Sequence, residues 1–102
     1  MPVGGPGDLR AWDAVLSGPA VIGIDAETRL YDIQALQRRT ELKKRDGHVD
    51  RVVLVVADTR HNRTVLRLHG HDLAATFPIR GDDALAALRS GKDPGGDAIV
   101  LL

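Results

Sequence analysis

At 102 residues the chain suits one domain with a single modest core, and a composition 43% hydrophobic and 27% charged lies outside the disordered range. Lysine and arginine number 14, as do aspartate and glutamate, so the formal net charge is zero and a basic field over the whole molecule is excluded. Any contact with nucleic-acid phosphates must therefore come from a local patch. With no cysteine, disulfides and thiolate metal sites are excluded, and no apolar run approaches the roughly 20 residues that span a bilayer.

The first seven residues hold two prolines and three glycines and read as a flexible linker or cut end, leaving 8–102 as a single α/β domain. The opening MPVGGPGD has neither a basic nor a hydrophobic stretch of the secretory kind, so a cytoplasmic location is expected. Residues 9–16 (LRAWDAVL) admit two readings. Asp8 as N-cap, Gly18 as stop and apolar Leu9, Trp12, Val15 and Leu16 slightly favour a helix. A strand turning at Ser17-Gly18-Pro19 into Val21-Ile22-Gly23-Ile24 would instead make a hairpin.

Residues 21–29 (VIGIDAETR) alternate, with Ile22, Ile24 and Ala26 on one side and Gly23, Asp25, Glu27 and Arg29 on the other. A helix follows, capped by Asp32 and stopped by Gly47, with Arg38, Arg39, Lys43, Lys44 and Arg45 on its exposed face. Residues 51–58 (RVVLVVAD) form the strongest strand, apolar on both faces and hence central. Thr59 or Asn62 opens a helix reaching Leu73, and Phe77-Pro78-Ile79 is a short extended piece. Asp82 or Asp83 caps a further helix ending near Gly91, and 98–102 (AIVLL) form a last buried strand. Strands alternating with helices point to an α/β fold with parallel neighbours, and the crossover between the second and third strands is expected to be right-handed.

The acidic residues Asp13, Asp25 and Glu27 stand out because carboxylates seldom end an apolar strand without a partner. In a hairpin, Asp13 would lie opposite or diagonal to Asp25, with Cβ atoms about 5–8 Å apart. Three convergent carboxylates suit Mg²⁺, which takes one or two of them and keeps its waters for a phosphate. The bland alternative is a Glu27–Arg29 surface ion pair with Asp13 on a solvated helix.

An acid on one strand, a tight turn, then hydrophobic–acidic–x–basic and a helix carrying glutamine resembles the PD-(D/E)xK nuclease superfamily. In that resemblance Asp13 takes the place of the first acid, and Glu27-Thr28-Arg29 that of E-x-K. Gln34 or Gln37 takes that of the supporting polar residue. Arg29 departs from the pattern, since arginine holds its proton where lysine can shuttle one. More specifically, GDLRAWDAVL, ETRLYDIQALQRR and VVADTRHNR are similar to the C-terminal region of actinobacterial helix-turn-helix regulators.

The resemblance implies a restriction-endonuclease-like α/β domain: a mixed sheet with an N-terminal hairpin and a right-handed β-α-β crossover. It implies an accessory or effector role in a DNA-associated transcriptional regulator, with weak or no catalysis, whose helix-turn-helix lies outside this chain. The alternative it implies is a Mg²⁺-dependent nuclease, a phosphodiesterase in which Asp13, Asp25 and Glu27 hold the ion and Arg29 grips phosphate. A third reading is a homodimerising interaction module. Arg38, Arg39, Lys43, Arg60 and Arg63 are the candidate phosphate contacts, and no membrane partner is expected. His61, His69 and His71 lack ligand spacing and read as exposed polar residues.

Overall fold

The computed structural model describes residues 12–102. The expected linker at 1–7 and the opening of the ambiguous segment at 8–11 lie outside the described residues. From Trp12 onward that segment is extended: β1 (Ala14–Ser17) pairs antiparallel with β2 (Val21–Glu27), with Ala14 opposite Ile24 and Ser17 opposite Val21. The turn falls at residues 18–20, one place later than the sequence suggests. The local helical pattern yields because tertiary partners outweigh propensity. Trp12 is buried, and its ring lies where a Cβ on Gly23 or Gly47 would sit, 2.6 Å from the nearest ring atom in each case.

The helix α1 (Ile33–Asp46) starts as its sequence demands. The Asp32 carboxylate accepts from Ala35 N at 3.0 Å, and Ile33, Leu36 and Thr40 bury one face. It ends where Gly47 donates to Lys43 O at 2.7 Å and lets Trp12 approach. The strand β3 (Arg51–Val56) is interior as expected, parallel to β2, although residues 57–58 already leave it.

One helix to Leu73 was the expectation, and the chain instead breaks at His69 between α2 (Arg60–Leu68) and α3 (Gly70–Thr76). Gly70 weakens helix continuation there, and Leu73 of α3 and Phe77 just after it lie in the core. Thr59 is the α2 cap, accepting from Asn62 N at 3.1 Å. In α4 (Gly81–Arg89) the N-cap position is Arg80, not Asp82 or Asp83; both acids occupy the first turn, where they complement the helix dipole. The last strand, β4 (Ala98–Leu101), is parallel to β3 but lies at the edge of the sheet, so Leu101 and Leu102 remain exposed instead of buried.

The architecture is α/β, a mixed four-stranded sheet in the order β1-β2-β3-β4. Registers sort its residues into two faces. Leu54, Val56 and Ile99 pack with Leu30, Ile33, Leu36, Leu73 and Phe77 from the side of α1, α2 and α3. Ile22, Val53, Ala98 and Val100 pack with Ala84, Leu85 and Leu88 of α4 on the other side. Asp25 and Glu27 share the first face, opposite Leu54 and Val56, so their carboxylates point towards α1.

Candidate functional site

The hairpin brings Asp13 and Asp25 together, and each carboxylate acts on the other's neighbourhood. Asp13 N donates to Asp25 Oδ1 at 3.1 Å, and Ala26 N donates to Asp13 Oδ2 at 2.8 Å. These bonds replace the ladder just beyond the last β1–β2 residue pair, where a backbone amide would otherwise lack a partner. The second Asp25 oxygen, Oδ2, accepts from Lys43 Nζ of α1. Lys43 Nζ also sits 4.6 Å from the centroid of the Trp12 ring, within cation–π range. Trp12, Asp13, Asp25 and Lys43 thus form one latch holding β1 and α1 against β2.

Glu27 lies two residues beyond Asp25 on the same face and is engaged by Arg39 Nη2 through Oε1 at 2.5 Å. Lys44 bonds the Asp97 carboxylate at 3.0 Å, and Asp97, 8% exposed, also accepts from Val52 N at 2.8 Å. The basic face expected on α1 is therefore largely neutralised from outside the helix, by Asp25, Glu27 and Asp97. Arg45 does pair with Asp46, at 3.2 Å. Arg38 is exposed and joins no ion pair among the described residues.

Arg29 is directed away from the Asp13–Asp25 pair. Its Nη2 lies 3.5 Å from His61 Nδ1, and its guanidinium stands 5.6 Å from the Tyr31 ring centroid. The other imidazole nitrogen, Nε2, is 2.8 Å from Leu30 O, so it carries the proton and Nδ1 accepts from Arg29. Beneath them sits Asn62, fully buried. It accepts from Leu30 N and donates to Thr28 O and Ala57 O, each at 2.9 Å. One amide thereby staples the loop after β2, the end of β3 and the start of α2 into a fixed edge. The sequence singles out Asn62 as an alternative N-cap; its burial depends on three segments distant in sequence.

At the same edge Arg63 makes a two-pronged pair with Asp58. That hydrogen bond, with the charge behind it, holds the Asp58 carboxyl below its ordinary range and raises the Arg63 guanidinium. Arg60, Arg63 and Arg67, with Asp58, Thr59 and Thr64, line an open depression of about 550 Å³. Arg67 was not among the sequence candidates, although its place seven residues after Arg60 puts it on the same helical face.

A divalent ion needs several oxygens free to turn towards one point. Here both Asp25 oxygens and one of Asp13 are hydrogen-bonded, and an oxygen of Glu27 is held by Arg39. Among the described residues no group of three or more Asp, Glu or His side chains is placed to hold a metal ion. In this arrangement the Lys43 ammonium occupies the cationic place beside Asp25. His69 and His71 are exposed and line a groove with Tyr31, Asp32, Gln34 and Asp72, apart from His61. Compared with known proteins, the chain matches no family model, no curated protein sequence and no solved structure.

Proposed function

We propose that this chain is a non-catalytic, PD-(D/E)xK-like domain that serves as the accessory or effector part of a DNA-associated transcriptional regulator. The observation that carries the non-catalytic reading is the internal commitment of the acids: Asp13 to the Ala26 amide, Asp25 to Lys43, Glu27 to Arg39. In this role the acidic constellation is a keystone of the hairpin, and its charges are spent on positioning β1 and α1. The regulatory setting rests on the resemblance of residues 7–16, 27–39 and 55–63 to helix-turn-helix regulators, whose DNA-reading domain would be a separate segment.

A second reading, a Mg²⁺-dependent phosphodiesterase, is favoured by one observation. Asp13 and Asp25 meet at the hairpin's end and Glu27 follows two residues on along the same face, so carboxylates that turned away from Lys43, Arg39 and the backbone amides could converge on one ion. A metal held there would supply a polarised phosphoryl oxygen and an activated water. Arg29 could contact phosphate but not relay a proton.

Incubation with supercoiled and single-stranded DNA in millimolar Mg²⁺ or Mn²⁺, wild type beside Glu27→Ala, separates the two. The expected result is intact DNA with both proteins and a melting temperature that Mg²⁺ does not raise. Metal-dependent cleavage that disappears in Glu27→Ala would overturn the proposal.

A further inference from the structure

The cations of the molecule are unevenly compensated. On α1, Arg39, Lys43 and Lys44 each have a carboxylate from another element. On α2 the sequence RHNRTVLRL holds three arginines and no acid, and among the described residues Asp58 is the one carboxylate paired with them. Arg60, Arg63 and Arg67 are all exposed, and their spacing puts them on one face with Thr64 between. Val65 and Leu66 turn the opposite way, into the core. The Asn62 staple then brings Arg29, from a different element, to the start of this stripe through His61.

We propose that Arg29, Arg60, Arg63 and Arg67 form a contact surface for the phosphodiester backbone of nucleic acid, on α2 and the edge beside it, not on α1. Arg60 and Arg67 are seven residues apart, about 10 Å along a helix. A nucleic-acid strand presents a phosphate roughly every 3.4 Å of its axis, so the stripe matches a run of about three. The guanidinium forks of Arg60 and Arg67 can pair with phosphate oxygens in two-pronged fashion, Arg63 offers the Nη1 that Asp58 does not hold, and the Thr59 and Thr64 hydroxyls supply interleaved donors. Between Arg60 and Arg67 the outward face of α2 carries no aromatic or large apolar side chain, the exposed Leu68 following Arg67 and the exposed Tyr31 lying beside Arg29, and that polar stretch suits a phosphate contact more than a helix that beds into lipid. The buried staple beneath holds the edge rigid, so little ordering is required on binding.

This inference extends the regulatory reading above and is tested separately from it, in EDTA, where cleavage cannot contribute. Fluorescence anisotropy is measured with labelled duplex and single-stranded DNA over a range of NaCl, for wild type, Arg60→Gln/Arg67→Gln, Arg38→Gln on α1, and Arg89→Gln on α4 as a distant control. Wild type should bind with log K falling linearly in log salt. The double variant should lose more than about tenfold in affinity at low salt and flatten the slope by about 1.8 on duplex or about 1.4 on single strands. Arg89→Gln should match wild type, and all variants should melt with wild type because the changed side chains are exposed. The two DNA forms distinguish which backbone is preferred. Affinity unchanged in the double variant would overturn the proposal, as would a loss confined to Arg38→Gln. Binding to phosphatidylserine vesicles or to a poly-glutamate peptide but to neither DNA would also overturn it. Metal-dependent cleavage in the earlier assay, with the α2 effects intact, would sink the non-catalytic reading and leave this one standing.

Discussion

The Trp12 ring explains two glycines that no turn requires. Gly23 lies within β2 and Gly47 closes α1 with an ordinary right-handed backbone, yet a methyl group at either would meet the indole at 2.6 Å. Both are needed for close approach, not for conformational freedom. Lys43 on the ring and Asp25 beyond it complete the packing, so one aromatic side chain couples the hairpin, the first crossover helix and the acid pair. Gly23→Ala should therefore destabilise the fold by about 2 kcal/mol, an overpacking cost despite the better strand propensity of alanine. Urea unfolding followed by circular dichroism measures this directly. A neutral or stabilising effect would show that the indole can move aside.

At the scale of elements, carboxylates close the ends of strands and loops where the backbone ladder stops. Asp13 accepts from Ala26 N, Asp50 from Val21 N at 2.8 Å, Asp97 from Val52 N, and Asp93 from Gly95 N at 2.8 Å. The last ties the loop after α4 to β3, because Arg51 bonds the same carboxylate at 3.1 Å. The Gly95 amide first, and Arg51 second, hold Asp93 below the ordinary carboxylate range. A carboxyl whose folded-state value is depressed contributes stability above its unfolded value, about 3.9, and loses it as pH falls through the folded one. Asp58, held down by Arg63, acts in the same direction. Wild type should thus exceed Asp93→Asn in melting temperature at neutral pH, with the gap narrowing below about pH 4. A gap that stayed constant into that range would assign the difference to packing instead.

For the whole molecule, the sheet spans all the elements, and the chain's single tryptophan reports on its β1 edge while the helices dominate the far-ultraviolet signal. Because Trp12 packs with Val49 and Val52 as well as across the hairpin, that edge should unfold with the rest. Tryptophan fluorescence and circular dichroism should give one coincident transition in urea. An earlier fluorescence transition would mean that β1 detaches as a separate unit. The same global view changes where positive charge matters. A residue count gives neutrality, and a helical projection gives a basic α1, but pairing across elements cancels much of α1 and leaves α2 as the arginine-rich face.

By itself the sequence determined the α/β class, the interior place of the strand within residues 51–58, the Asp32 cap and the stop at Gly47, and it offered Thr59 beside Asn62 as the cap of α2. Each of these depends on hydrophobic runs or on hydrogen bonds within a few residues, which local spacing encodes. It also marked Asp13 and Asp25 as opposite or diagonal positions if residues 9–16 were a strand, yet the local pattern leaned towards a helix. Only tertiary structure decided that question, because the strand is held by Gly23, Gly47, Asp25 and Ala26, all beyond the reach of local propensity. The same holds for the Asn62 staple, the break at His69 and the edge position of β4. The partners of Lys43, Arg39 and Lys44 belong with them. Which charge meets which, and which amide is buried, depends on contacts between segments 12 to 53 residues apart, and such contacts leave no spacing in the chain to read.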